Sequence, residues 1–553
     1  MRLHFATLLL LASCAPAIQG ASEDGLGKND GEDTSLDADD TGTTTSTTEA
    51  PPDADGDGFT RDDDCDDTDA AIHPDAEEVC GDGIDNNCDD RIDEGCAESL
   101  SEATASLLGE RAGDRAGASV AVAGDVNGDG QVDLIVGARE FSDEGQQRGR
   151  AYVVFGPIES ETRVLSDLPG VTIEGSQLGG GTGKRVSGLG DLDGDGLDEI
   201  MVTSDVADSD DWENTGLLHV FDGATLSGGA AVLQTSDAIS TVEGRSNYNW
   251  LGGSIVRAPD MNGDSIPDVW VAASGDRAGA PAGGAVFLLS GARLMGNRAT
   301  GAINSALVEI LGTEESAYIG ASQSAARDLN GDGLEDYALG IPLSSVNGDS
   351  SGKVTLFSGN SAGTMTTDDA WVTWTGSAAD RLGCALSSAG DLNGDGYVDL
   401  WIGADRMDVS NADAGAAFLI YGGPQLERTT GRIDNVWDAR LLGDSAGQGL
   451  GHTLDGTRDV DGDGRHDLVL GTPQAGINVE GAVILVTEIT EGSADIGDRA
   501  QRMWTGVNPE DRAGWQAQLG GDLLGTGQET VLVSAWESDR SGQDAGEVYI
   551  LGL

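Results

Sequence analysis

The chain has 553 residues, 97 acidic against 30 basic side chains, 85 glycines and a formal charge of -67. At roughly 100 to 200 residues per domain, this length holds two to four domains or one large repeat array. The charge argues against nucleic acid or an anionic membrane surface as partner, because a phosphate-binding face needs clustered Lys and Arg, and lysine occurs only at Lys28, Lys184 and Lys353. Such acidity reads as a solvated surface, as salt adaptation, or as many carboxylates that hold cations; the spacing of the aspartates decides among them.

At the N-terminus Arg2 precedes an apolar run from Ala6 to Ala12, too short to span a bilayer, which is the pattern of an export signal. The run ends in Leu11-Ala12-Ser13-Cys14, which resembles the bacterial lipobox. That resemblance implies removal of residues 1–13, acylation of Cys14, and a lipoprotein at the outer membrane or cell surface that touches the membrane through its lipid only. The alternative is cleavage after Ala15-Pro16-Ala17, an A-x-A site, which would release a soluble secreted protein. Residues 14–52 are rich in Asp, Gly, Ser and Thr and are expected to form a disordered tether reaching roughly 35 Å.

Residues 53–98 hold Cys65, Cys80, Cys88 and Cys96. In an exported chain such a cluster reads as disulfides with three possible connectivities; a zinc site is the rival, but no C-x2-C pair is present and His73 is the local histidine. Two ladders of oxygen donors surround the cysteines: Asp53, Asp55 and Asp57 with Asp64 at the twelfth position, and Asp85, Asn87, Asp89 and Asp93 at positions one, three, five and nine. The stretch, with Asp64-Cys65-Asp66-Asp67, Ile72-His73-Pro74 and Cys80-Gly81-Asp82-Gly83, resembles the metal-binding motif of MopE-type bacterial surface proteins. That family name is associated with copper, whereas these hard oxygen donors suit Ca2+.

From residue 99 to 553 a D-x-[DN]-G-D-G pattern recurs at Asp125, Asp191, Asp260, Asp328, Asp391 and Asp459, with an eroded seventh copy at Asp522. A glycine stands eight residues before each, a short alternating segment leads into the loop, and a continuous apolar run such as Leu134-Ile135-Val136 leaves it. This reads as strand, loop, strand. A third, glycine-led strand and a fourth strand before the next repeat give four short antiparallel strands per repeat, the signature of propeller blades. The last repeat ends after its third strand, and Ala103 to Gly109 matches a fourth, so the N-terminal strand is expected to close a seven-bladed, all-β ring. With 5% aromatic residues, packing between blades is expected to rely on Val, Leu, Ile and Ala.

These repeats resemble FG-GAP repeats, those of the integrin alpha-subunit head, with "GAP" surviving as Gly137-Ala138, Gly340-Ile341-Pro342, Gly403-Ala404 and Gly471-Thr472-Pro473. The resemblance implies a seven-bladed propeller with Ca2+ loops on one face. It places a binding surface on the other, at Glu140 to Gln147, Ser204 to Thr215, Ser274 to Gly284, Leu343 to Ser351, Arg406 to Ala414 and Trp536 to Ala545.

In a nine-residue loop, oxygens at positions one, three, five and nine and a carbonyl at seven converge on one Ca2+. Loop one offers Asp125, Asn127, Asp129, the Gln131 carbonyl and Asp133; loop two Asp191, Asp193, Asp195, the Leu197 carbonyl and Glu199. Loop three has Asp260, Asn262, Asp264 and Asp268, with Ser265 in place of the turn glycine. Loop four has Asp328, Asn330, Asp332, the Leu334 carbonyl and Asp336; loop five Asp391, Asn393, Asp395, the Tyr397 carbonyl and Asp399; loop six Asp459, Asp461, Asp463, the Arg465 carbonyl and Asp467. Loop seven keeps Asp522 alone and is read as having lost its ion. No residue pattern identifies a nucleophile with its base: His219 reads as a packed strand residue, His466 as solvated, Cys384 as a small hydrophobe. Asp114-Arg115, Asp380-Arg381 and Asp511-Arg512 read as salt bridges within turns. The expected function is a non-catalytic, calcium-stabilised, monomeric surface protein that recognises an extracellular protein or glycan; a carbohydrate-active enzyme and a purely structural envelope protein are the alternatives.

Overall fold

The computed structural model describes residues 53–553 apart from 63, 75, 77–83, 89–95, 144, 297–300, 360, 410, 427–428 and 477. The export signal, Cys14, the tether, Cys80, Asp89 and Asp93 lie outside the described residues. The chain divides into two compact units, Met1–Cys96 and Ala97–Leu553.

In the larger unit the first blade shows the plan. Strands Ser119–Gly124, Asp133–Ala138, Arg150–Val154 and Gly170–Glu174 pair antiparallel in that order from the centre outward. A fifth strand, Val232–Gln234, then adds in parallel, and it comes from the next repeat. Seven five-stranded sheets among the described residues share this order. The expectation of four strands per blade is thereby corrected: after its third strand each repeat lends a short strand to the outer edge of the preceding blade before returning to its own. The return is made by a one-turn 3-10 helix whose first residue is buried, as at Leu165–Asp167, Thr235–Asp237 and Ile433–Asn435.

The N-terminal segment is one such unit in sequence order. Ala97–Ser99 is the fifth strand of blade six, pairing in parallel with Arg502–Thr505, and Leu100–Glu102 is the 3-10 turn. Ala105–Leu108 is the fourth strand of blade seven, antiparallel to Glu547–Gly552, so two blades are completed from the N-terminal side. Glu98 accepts two hydrogen bonds from the Arg502 guanidinium at 3.1 Å each.

Seven hydrophobic clusters, one between each pair of adjacent blades, close the ring. Each contains a buried aromatic: Phe221, Phe287, Trp270, Trp374, Trp401, Trp504 and Tyr152 in turn around the ring. Packing therefore does not rest on aliphatic side chains alone. The few aromatic residues are concentrated where a wedge-shaped gap between twisted sheets takes a large, flat side chain. At the centre, hydroxyls stitch neighbouring first strands together: Ser119 Oγ accepts the Val186 N–H at 3.1 Å, and Ser322 Oγ donates to the Gly383 carbonyl at 2.7 Å.

Candidate metal centres

Because strands alternate in direction, the connection between first and second strands emerges on one face of the ring and that between second and third strands on the other. The six D-x-[DN]-G-D-G loops, and the eroded copy in blade seven, occupy the first of these connections.

Loop one shows how the sequence builds the turn. The Asp125 carboxylate accepts N–H groups from Gly128, Asp129 and Gly130 at 2.7 to 3.1 Å, Asn127 accepts from Asp129, and Asp129 accepts from Gln131. Gly128 and Gly130 have φ of 77° and 81°, a region that glycine enters without steric cost. Asp133 is fully buried and accepts from Val126 and Gly156 at 2.9 and 2.8 Å. The ninth-position acids are buried in all six loops: Asp133, Glu199, Asp268, Asp336, Asp399 and Asp467. Burial pushes Asp133, Asp399 and Asp467 up to about 6 and Glu199 and Asp336 up to about 7, and raises Asp268. Desolvation is the first cause in each case, with the carboxylates at positions one, three or five adding repulsion.

These residues suit a hard divalent cation. One carboxylate oxygen each of Asp336 and Asp467 is buried without a hydrogen-bond partner. In loops two and six, which have aspartate at position three, ligand oxygens of Asp191, Asp193 and Glu199, and of Asp459, Asp461 and Asp467, lie within 4.8 Å of one another. Loop three differs: Ser265 takes φ of 71°, and the Asn262 amide donates to both oxygens of Asp268 at 2.9 and 3.2 Å. At loop seven the Asp522 carboxylate still accepts N–H groups from Thr526 and Gly527, but position nine is Thr530, whose hydroxyl donates to the Gly521 carbonyl at 2.8 Å.

The small unit repeats this construction. Asp53 accepts from Gly56 and Gly58, Asp55 from Asp57, and Asp57 from Phe59. Oxygens of Asp53, Asp55 and Asp57 lie within 4.8 Å of one another, and one oxygen each of Asp55, Asp57 and Asp64 is buried without a hydrogen-bond partner. Cys65 and Cys88 form a disulfide, and Cys96 is disulfide-bonded as well. The sulfurs beside Asp64 are thus unavailable as thiolate ligands, although they lie at ligand distance from it. Asp85 and Asn87 are described, but the rest of their ladder is not.

The opposite face carries groups whose partners the sequence did not disclose. The paired Asp and Arg residues do not bridge to each other: Asp114, Asp380 and Asp511 accept backbone N–H groups from Arg111, Ser377 and Asn508 in their own turns. Their arginines reach other loops, Arg115 to Glu140 (3.3 Å), Arg381 to Asp405 (3.9 Å) and Arg512 to Glu537 (2.8 Å). His452 Nδ1 lies 3.2 Å from Asp405, its ring packs on Trp515, and Trp515 packs on Trp536. His219 is buried, bonded to Ser204 and Thr241, and burial pushes it down to about 4. His466 is not solvated as expected: it is half-buried, with Nδ1 3.0 Å from the Gly456 carbonyl.

Each turn into a first strand also holds two residues at positive φ, four and two positions before the glycine. Two before it stand Arg115, Gly181, Trp250, Tyr318, Arg381, Gly449 and Arg512, with φ from 47° to 71°. This conformation costs a residue with a Cβ about 1 kcal/mol or more, so glycine in blades two and six is the unstrained choice.

Family models match at both units. The FG-GAP repeat model matches residues 116–154 and 450–486, the first three strands of blades one and six. The chain carries FG-GAP repeats. The Cu-binding_MopE model, a metal-binding motif, matches residues 64–94. Over 168 residues, 30% of the chain, the sequence is 33% identical to integrin alpha-4 of Xenopus laevis, covering 15% of that protein. It is 27% identical over 281 residues to integrin alpha pat-2 of Caenorhabditis briggsae, covering 46% of this chain and 21% of that protein. It is 28% identical over 308 residues to a phosphatidylinositol-glycan-specific phospholipase D of Bos taurus, covering 52% and 34%. The matches thus span about a third or less of these relatives' own length. Among the described residues no helix is long and apolar enough to cross a membrane.

Proposed function

We propose that the chain is a calcium-stabilised, non-catalytic recognition or adhesion protein, exported and held at the outer membrane or cell surface through a lipid on Cys14. One observation carries the reading: six carboxylate loops occupy the same hairpin of six blades, so cations stiffen one face while the connections on the other vary freely. Hard oxygen donors, buried acids with unbonded oxygens and cysteines tied in disulfides favour Ca2+ over a soft metal in both units. The integrin alpha relatives support an extracellular setting, and the ligand is a cell-surface protein or glycan bound by a monomer.

The test is adhesion. Beads coated with the full chain are offered cell surfaces and extracellular matrix in millimolar Ca2+ and in excess chelator. Retention in Ca2+ that chelation abolishes is the expected result; beads retained on no surface would sink the recognition reading. A hydrolytic alternative has one observation in its favour, the His452–Asp405 pair, since a carboxylate at Nδ1 orients an imidazole for proton transfer. Turnover of a phosphodiester or glycoside substrate that is lost in His452→Gln would establish it.

A further inference from the structure

Blades three and four break the glycine preference of their turns with aromatic residues. Tyr248, Trp250 and Tyr318 have φ of 57°, 51° and 47°, where Gly179, Gly181, Gly447 and Gly449 serve blades two and six. The equivalent arginines are accounted for by their ion pairs to Glu140, Asp405 and Glu537. The aromatic rings have no such partner and instead gather: Tyr248 meets Trp250 edge-on at 6.5 Å, and Trp250 neighbours Tyr318 at 6.3 Å with a 31° tilt. Trp250 lies against Gly275, where a Cβ would come within 2.5 Å of its ring, so the backbone below is shaped to receive it. The Tyr248 N–H donates to the Glu213 carbonyl, so the backbone segment that carries Trp212 is bonded to the Tyr248 turn. Trp212 and Tyr248, 40% and 41% exposed, are the aromatic members of the exposed large hydrophobics among the described residues. Exposed Glu213, Asn247, Arg277 and Glu315 lie within three residues in sequence of Trp212, Tyr248, Gly275 and Tyr318.

We infer that Trp212, Tyr248, Trp250 and Tyr318 form a stacking platform for a neutral oligosaccharide. Two exposed rings, Trp212 and Tyr248, and two half-buried ones, Trp250 and Tyr318, with polar residues next to them in sequence, match a pyranose, which presents an apolar C–H face and a belt of hydroxyls. The charge of -67 disfavours an acidic ligand. The inference rests on the recognition reading and names its ligand class. The positive φ itself recurs at these positions in all seven blades, so what sets blades three and four apart is the choice of large aromatic side chains there, Tyr248, Trp250 and Tyr318.

The test uses the full chain in Ca2+ with cellotriose, chitotriose and maltotriose as probes, followed by tryptophan fluorescence and calorimetry, alongside Trp250→Gly and Tyr248→Gly. Glycine suits both positions, so each variant is expected to melt within about two degrees of the parent. Binding of at least one trisaccharide is expected to weaken about tenfold or more in each variant. No response to any of the three sugars at ~10 mM, a range where weak single-site binding is still seen, would overturn the inference. So would binding unchanged in both variants, or a fall in melting temperature well beyond two degrees in both, which would make the rings structural. If coated beads still adhere while the sugars fail, this inference falls and the recognition reading stands; if neither sugars nor surfaces are bound, the recognition reading falls with it.

Discussion

Loops six and seven form the same hairpin with different side chains. In each, the first aspartate gathers N–H groups of the turn, from Gly462 and Gly464 in one and Thr526 and Gly527 in the other. Both show a register shift in the first strand just before the loop. Loop seven manages this with one acid at the ligand positions, a leucine at position three and a threonine at position nine. The backbone turn therefore needs only Asp522 and its glycines. In loop six Asp461, Asp463 and a buried Asp467 exceed that need and repel one another, an arrangement that a cation stabilises.

The largest test removes every ion at once. A site occupied at a hundred times its Kd contributes about 2.7 kcal/mol, so six sites together are expected to hold the melting temperature more than about ten degrees above that in excess chelator. An unchanged melt would leave the acidic loops as solvated turns. Next, Asp467→Asn should lower the number of bound Ca2+ by one and destabilise by roughly 2 to 3 kcal/mol in Ca2+, whereas Asp522→Asn should leave the count unchanged, both read by calorimetric titration. The converse graft, Leu524→Asp, Thr526→Asp and Thr530→Asp, should add one ion, destabilising the chain in chelator and restoring it in Ca2+. The smallest effect is expected at loop three, where Ser265→Gly relieves a positive φ by about 1 kcal/mol and should tighten Ca2+ binding there.

Much of the propeller was legible because its signals are local. The loop aspartates lie within nine residues of one another, and hydrophobic alternation places the strands beside them. The lent fifth strand was not legible, being two to four residues long and paired across a blade boundary, as Gly431–Arg432 is with Val372–Thr375. Its trace was present, though, in the recurring turns that follow it, Leu165-Ser166-Asp167, Thr367-Asp368-Asp369 and Ile496-Gly497-Asp498, with Leu100-Ser101-Glu102 as a further copy. The partners of Arg115, Arg381 and Arg512 could not be read, because a guanidinium and a carboxylate from separate loops meet only once the ring has closed. Buried aromatics escaped a compositional argument for a related reason: one to three per interface are few in number and large in effect.

The doubled closure also sets a timetable. Ala97–Ser99 and Ala105–Leu108 leave the ribosome before any blade exists, yet their partners, Arg502–Thr505 and Glu547–Gly552, are translated some four hundred residues later. Until then blade one lacks the neighbour, blade seven, that it packs against in the finished ring. Joining the two ends is the most non-local contact in the propeller and the step with the greatest loop entropy to overcome. The ring can thus close only once Glu547–Gly552 has been made, which makes closure the last step of the propeller's assembly.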